Sequence, residues 1–260
     1  MKISIAMATY NGEKYLLEQL QSIINQTYEI NEIIIIDDCS TDKTVHIAEN
    51  FLSEFPQEKK IIVNKKNLGT YKNFEKALMH CTGDIIFLSD QDDIWLPNKI
   101  ETHIKLHEIK KNIQIFTNDC SLTDDLHHTF GVTKMKNLES AGINLTSMIM
   151  GCCCSIKKGF LKKALPFPPN FKGHDNWLCF LADKNDERLL LSDDLQFYRQ
   201  HGSNTSNYFV NNEKGLRIHQ KIIGSIRRIF KRLNSSNKIK NLALSSKEII
   251  RNSKSANEKS

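Results

Sequence analysis

The chain has 260 residues, 40% of them apolar and 25% charged, with 5 prolines and 11 glycines. That composition supports a packed core and excludes wholesale disorder and collagen-like repeats, and the length suits one large domain with at most an appendage. The net charge of +6 is unevenly placed: residues 210–260 hold 13 Lys or Arg against 3 Glu, net +10, which leaves −4 for residues 1–209.

Residues 3–8 read as an apolar strand ending on Thr9-Tyr10-Asn11-Gly12, a turn cluster. Residues 15–24 have helical spacing, with Leu16, Leu20, Ile23 and Ile24 on one face. The run Glu32-Ile33-Ile34-Ile35-Ile36 marks a central parallel strand buried on both faces. It stops at Asp37-Asp38-Cys39-Ser40-Thr41-Asp42, where Ser40 or Thr41 is placed to cap a helix over 45–55. A strand over 60–64, a helix over 74–80 and a strand over 84–89 follow, the last running into Asp90-Gln91-Asp92-Asp93. This alternation predicts an α/β fold on a parallel sheet, and such sheets bind ligands beyond the carboxyl ends of their strands. Three of the strands end on polar clusters.

Neither G-x-G-x-x-G nor G-x-x-x-x-G-K-[ST] occurs, so phosphate must be handled without those glycine-rich cradles. Asp90, Asp92 and Asp93 repel one another unless a cation sits among them, and a hard ion such as Mg²⁺ or Mn²⁺ fits. Asp92 and Asp93 also stand where they could cap the helix running on from Pro97; the two roles are compatible. Seven cysteines without paired spacing make a poor disulfide framework. Cys152-Cys153-Cys154 lies in an apolar stretch over 148–156 that reads as a buried strand, so small apolar filling is the expected role. His103 and His107 share a helix face without the Glu of H-E-x-x-H and are expected to be exposed. Trp95 and Trp177 read as packing anchors.

The order Ala8-Thr9-Tyr10-Asn11-Gly12, Ile36-Asp37-Asp38-Cys39-Ser40-Thr41-Asp42, Asn67-Leu68-Gly69 and Ser89-Asp90-Gln91-Asp92-Asp93-Ile94-Trp95 resembles the family 2 glycosyltransferases of the GT-A fold. Gly151-Cys152, Leu165-Pro166-Phe167-Pro168, His174-Asp175-Asn176-Trp177 and Tyr198-Arg199-Gln200-His201-Gly202 are similar to the bacterial rhamnosyltransferase-like branch. The likeness spans about residues 1–205. It implies that Thr9, Tyr10 and Glu13 line the nucleoside pocket and that Asp38 takes a hydrogen bond from the base. It places Gly69 and Asn73 near ribose and phosphates, and Asp90 on the ribose or a water on the ion. Asp92 would hold Mg²⁺ or Mn²⁺ at the diphosphate, and Asp175 would be the catalytic base, with His174 the alternative. The 198–202 segment would form a flap, with Arg199 or His201 reaching the diphosphate. The processive Q-x-x-R-W motif is missing, so transfer of one or a few sugars is expected.

The implied activity is inverting transfer of a sugar from a nucleoside diphosphate donor to a hydroxyl of a saccharide acceptor. A lipid-linked acceptor and bacterial surface polysaccharide synthesis are the expected setting. A nucleotidyltransferase would carry a Gly-rich, Lys/Arg-bearing loop after the first strand, and Thr9-Tyr10-Asn11-Gly12-Glu13 has none. A silent sugar-nucleotide-binding module would have lost Asp92 or Asp175. The expected division is a catalytic domain over 1–209 and a basic tail over 210–260. In that tail Ile218, Ile222, Ile226, Ile229 and Leu233 share a helical face suited to an anionic membrane surface or to packing on the domain. Residues beyond Lys238 are expected to be partly disordered. A mildly acidic body with a basic tail does not fit nucleic acid, and the first residues lack a secretory signal pattern; the expected location is the cytoplasm, peripheral on the inner membrane face.

Overall fold

A computed structural model describes residues 1–202, 204 and 243–257. The first half alternates β1 (Ile3–Thr9), α1 (Leu16–Ile24), β2 (Glu32–Asp37), α2 (Thr44–Leu52), β3 (Glu58–Val63), α3 (Thr70–His80) and β4 (Ile85–Ser89). Then come β5 (Ile94–Trp95), α4 (Lys99–Ile109), β6 (Ile115–Thr123), β7 (Thr129–Thr133) and α5 (Lys134–Ser140). The last described elements are β8 (Cys154–Lys157), α6 (Lys158–Ala164), α7 (His174–Asp183), β9 (Arg188–Arg199) and α8 (Ser246–Asn257). The strands lie in the order β3-β2-β1-β4-β8-β6-β9-β5, with β7 on β6. The first four pair in parallel, as their apolar runs and helical crossovers require. Beyond β4 the sheet is mixed: β8 runs antiparallel to both β4 and β6, while β6 and β9 are parallel.

Strand alternation divides the core between two faces of the sheet. Ala6, Ala8, Ile34 and Ile36 pack with Phe74 and Leu78 of α3 and with Leu178 and Cys179 of α7. Ile3, Ile5, Met7, Ile33 and Ile35 meet Leu16, Leu20 and Ile23 of α1 and Ile100 and Ile104 of α4. The edge strand β3 keeps Glu58, Lys59 and Lys60 exposed, which discourages pairing with another chain.

Several expectations are corrected here. His103 and His107 are 0% and 1% exposed, because α4 turns their face onto the sheet. Both bond the Ser155 hydroxyl, at 2.7 and 2.8 Å, and His103 also reaches Asn118. Burial pushes both imidazoles down, His107 to about 3, so they are neutral. Helix α2 is not capped by Ser40 or Thr41: the Asp42 carboxylate accepts from the Thr44 N–H at 2.9 Å, and Ser40 turns back to Asp37. Asp92 and Asp93 do not cap α4, which begins after Asn98. The three adjacent cysteines are buried as expected, although only Cys154 lies in a strand.

Residues 243–257 of the tail dock on the domain. Ser245 and Glu248 form a reciprocal capping box at the start of α8. Ile249 is 1% exposed among Leu106, Phe116 and Leu191, and the Ser246 N–H and hydroxyl bond Asp193. Residues 243–257 therefore belong to the domain's packing. The expected stripe from Ile218 to Leu233 lies outside the described residues. No helix among the described residues is long and apolar enough to cross a membrane.

Candidate active site

Parallel pairing brings the carboxyl ends of β1, β2 and β4 level, with Thr9 opposite Asp37 and Met7 opposite Ser89. The loops that leave these ends are tied to one another. Thr9 Oγ1 donates to Asp37 at 2.8 Å, so Thr9 braces two strands. Asn11, in the left-handed region at φ 47°, accepts from the Thr41 N–H at 2.9 Å. Glu13 accepts from the Lys43 N–H at 2.9 Å, so its carboxylate is engaged at the start of α2. Tyr10 presents an open aromatic ring, 47% exposed, and Asn11 and Glu13 are exposed beside it.

Gln91 clasps the Tyr10 peptide, accepting from its N–H at 2.8 Å and donating to its carbonyl at 3.0 Å. The middle residue of the Asp90-Gln91-Asp92 motif thus fixes the loop after β1. A Cβ on Gly12 would fall 2.2 Å from the Gln91 amide oxygen, so a larger residue there would push the Gln91 amide off the Tyr10 peptide.

Asp38, Gly69 and Asn73 come together as expected. Asp38 accepts from the Asn64 amide at 2.8 Å and from the Leu68 and Gly69 N–H groups at 2.8 and 2.7 Å. Gly69 sits at φ 81°, a conformation that favours glycine, directly before α3. Asn73 accepts from Asn64 at 3.0 Å and donates to the Ile36 carbonyl at 2.7 Å, tying α3 to the end of β2.

Four carboxylates converge past β4. Burial, followed by the charges of Asp92, Asp93 and Asp175, pushes the Asp90 carboxyl well above the usual range. Asp175, in the first turn of α7, is thereby placed near Asp90 although 85 residues separate them in sequence. Its Oδ1 accepts from the Asn176 N–H at 2.8 Å. Asp93 is fully buried and accepts from Gln196 at 3.1 Å and from the Arg199 N–H at 3.3 Å. Burial and the Asp92 charge push it to about 7. Lys99 is buried beside it, donating to the Cys152 carbonyl at 2.6 Å and to Gln196, with its ammonium 4.0 Å from the centre of the Trp95 ring.

Asp92 is 13% exposed, and its Oδ2 lies 2.9 Å from Nε2 of His201. The two atoms share a hydrogen bond here, and the same spacing, about 3 Å, separates adjacent corners of an octahedron of radius about 2.1 Å, so a divalent ion replacing the shared proton could take both. A carboxylate oxygen with an imidazole nitrogen suits Mn²⁺, whereas Mg²⁺ would rely on the carboxylate oxygen. Asp90, Asp93 and Cys152 also gather within 4.8 Å, but a thiolate is a soft donor and Asp93 already holds two hydrogen bonds.

Arg199 does not belong to a flap. It is 2% exposed at the end of β9, where Nε donates to the Asp92 carbonyl at 2.9 Å and a terminal nitrogen to the Asp125 carbonyl at 3.0 Å. The other terminal nitrogen meets the Glu18 carboxylate at 2.5 Å. His174 does not suit a base either: its ring stacks on Phe74 at 3.9 Å, and its Nε2 is buried with no hydrogen-bond partner. Burial pushes its imidazole down. Trp95 is buried, and Trp177 donates to the Ala164 carbonyl at 2.8 Å; both anchor packing as expected. Gln91, Lys99, Tyr15 and Glu18 are contributors that the sequence reading passed over.

Residues 4–165 match the model of a family described as glycosyl transferase family 2. EpsE of Bacillus subtilis is 33% identical over 139 residues, which are 54% of this chain and 49% of that protein. The dTDP-rhamnosyl transferase RfbG of Shigella flexneri is 45% identical over 103 residues, 38% of this chain and 35% of RfbG. WfgD of Escherichia coli, a UDP-Glc:alpha-D-GlcNAc-diphosphoundecaprenol beta-1,3-glucosyltransferase, is 29% identical over 191 residues, 70% of this chain and 71% of WfgD. The chain thus spans half or less of EpsE and RfbG. Among solved structures, S. aureus TarS 1-349 with UDP-GlcNAc superimposes at a TM-score of 0.66 and 21% identity, over 86% of this chain and 66% of that one. The mannosyltransferase PcManGT of Pyrobaculum calidifontis, with GDP-Man and Mn²⁺, superimposes at 0.66 and 16% identity, over 92% and 65%. These likenesses establish the GT-A fold.

Proposed function

Because the chain belongs to glycosyl transferase family 2, we propose that it moves a single sugar from a nucleoside diphosphate donor to a hydroxyl of a saccharide acceptor, with inversion. The observation that carries this reading is the convergence of Asp90, Asp92, Asp175 and His201 beyond β4, beside the loops of Tyr10, Asp38 and Gly69. The exposed Tyr10 ring offers a face to the base, and the remaining lone pair of Asp38 Oδ2 offers an acceptor to it. Thr9, Glu13 and Asn73 act by holding these loops in place. Asp90 takes a hydroxyl of the donor.

Asp92 and His201 would hold Mg²⁺ or Mn²⁺, which supplies positive charge where the diphosphate leaves. Asp175 accepts the proton of the attacking acceptor hydroxyl as the new glycosidic bond forms. One base opposite the leaving group gives in-line displacement and an inverted anomeric centre. Asp93, neutralised by Lys99 through Gln196, keeps the loop in place.

A diphosphate-lipid-linked acceptor in surface polysaccharide synthesis is the reading that the named activity of WfgD supports, and RfbG supports dTDP-rhamnose as one donor to try. Location on the inner membrane face, through the 210–242 segment, follows from its charge. Incubation with a panel of nucleotide sugars and a lipid-linked saccharide should release nucleoside diphosphate, only with Mg²⁺ or Mn²⁺ present. Pyrophosphate release would point to a nucleotidyltransferase instead, and no release to a silent binding module.

A further inference from the structure

Tyr15 immediately precedes α1 and is 7% exposed, so its ring is fixed by packing. The His201 imidazole stacks on that ring, with centroids 4.6 Å apart and planes at 27°. The Arg199 guanidinium lies 4.6 Å from the same ring centre and the Lys14 ammonium 4.8 Å. His201 lies beyond the end of β9, where no strand pairing sets its side chain. Its backbone is held by a turn: the His201 N–H donates to Asn204 Oδ1, and Asn204 donates back to the Arg199 carbonyl at 3.0 Å. That turn places the His201 Cα, and the ring is set by its side-chain contacts, the stack on Tyr15 among them. In the stacked orientation Nε2 faces Asp92 at 2.9 Å.

Asp92 is held from its other side. Arg199 donates to its backbone carbonyl and, through the Asp125 carbonyl and Glu18, ties it to the β6–β7 turn and to α1. Both proposed metal ligands therefore hang on one aromatic-guanidinium unit, Tyr15 and Arg199. We propose that Tyr15 is a positioning residue for the divalent ion, its ring acting as a shelf that pre-orients His201 toward Asp92. The inference rests on the Asp92–His201 reading above. What matters is the flat aromatic face; the phenol oxygen has no part in it.

The test compares Tyr15→Leu and Tyr15→Met, which keep apolar bulk but lose the flat face, with Tyr15→Phe, which keeps it. The full chain is titrated with Mn²⁺, and free ion is followed by electron paramagnetic resonance without donor or acceptor. Thermal melting identifies which of the Leu and Met variants is folded. The dissociation constant for Mn²⁺ is expected to rise at least tenfold in that variant and to stay at the wild-type value in Tyr15→Phe. In NMR of the histidine side chains, the His201 Cε1 proton should shift downfield in the Leu or Met variant, because the ring current is removed. Equal Mn²⁺ affinity in wild type and a folded Leu or Met variant overturns the inference while leaving the metal site standing. Failure of the wild-type chain itself to bind Mn²⁺ overturns the metal reading, and the inference with it.

Discussion

Gly151 and His174 offer a sharp test of how α7 is placed. A Cβ built on Gly151 would lie 2.3 Å from His174 Nε2 and 3.2 and 3.3 Å from the two ring carbons. Ordinary contact is about 3.5–4.0 Å, so in Gly151→Ala the imidazole must withdraw by more than ~1 Å. The approach is edge-on at Nε2 while Phe74 stacks on the ring's face with centroids 3.9 Å apart, so the push runs in the ring plane back toward the His174 backbone. His174 is the first residue of α7, so the displacement passes to the turn that carries Asp175. Overpacking of this kind costs about 1–3 kcal/mol. For a domain of this size that corresponds to a Tm lowered by roughly 3–10 °C.

Activity should suffer more than stability. A shift of about 1 Å at a reacting group costs on the order of 10² in rate. Gly151→Ala should therefore lower kcat by about that factor while donor binding holds, since Tyr10, Asp38 and Gly69 sit on the loops after β1, β2 and β3. Melting curves, isothermal titration with nucleotide sugar and initial rates read the three quantities. Adding His174→Ala should recover part of the loss, making the double variant more stable than the two single effects sum to. A Gly151→Ala protein with wild-type Tm and kcat would refute the tight contact and the coupling drawn from it.

Asp175→Asn should keep donor affinity and fold while transfer drops by about 10²–10⁴, measured as single-turnover sugar transfer. Asp92→Asn should abolish Mn²⁺ binding by isothermal titration without lowering Tm, since it removes a charge from a crowded acidic cluster. Ile249→Ala should cost about 2–4 kcal/mol, read from the urea midpoint, because α8 loses its buried anchor against Leu106, Phe116 and Leu191. His107 is held at about 3 when folded against 6.5 when free, so the folded state binds fewer protons between those values. Stability should fall as pH drops below 6.5, by about 1.4 kcal/mol per unit from this group, and the acid limb should be shallower in His107→Gln.

The strand-helix alternation of the first ninety residues was legible because β1, β2 and β4 are buried on both faces and read as unbroken apolar runs. The polar clusters at their ends located the site for the same reason: a parallel sheet gathers its carboxyl ends. Side-chain direction was less legible. His103 and His107 carry no mark separating a buried imidazole from an exposed one, since Ser155 and Asn118, which bond them, lie on distant strands. Arg199 looked like a mobile loop residue because its partners Glu18 and Asp125 come from elements far away in sequence. Lys99 was passed over because a lysine at a helix start is ordinarily solvated, and nothing local announces Asp93 and Gln196 around it. The docked C-terminal helix was hidden by averaging over a polar tail, although Ser245 and Glu248 spell its cap.

The buried chain from Lys99 through Gln196 to Asp93 has a consequence for how this sequence can drift. Without Asp93, Lys99 would be a buried cation with only the Cys152 carbonyl and the Gln196 amide to receive it. Without Lys99, the Asp93 carboxyl, already at about 7, would be pushed further toward its neutral form; removing one partner of a buried pair costs about 3–5 kcal/mol. Neither residue can therefore be exchanged by itself in a domain of ordinary stability. Replacing both with apolar residues of similar volume is close to neutral for the fold, so the two positions are bound to a shared history. Among relatives they should be found either charged together or apolar together, with Gln196 surviving only in the first group.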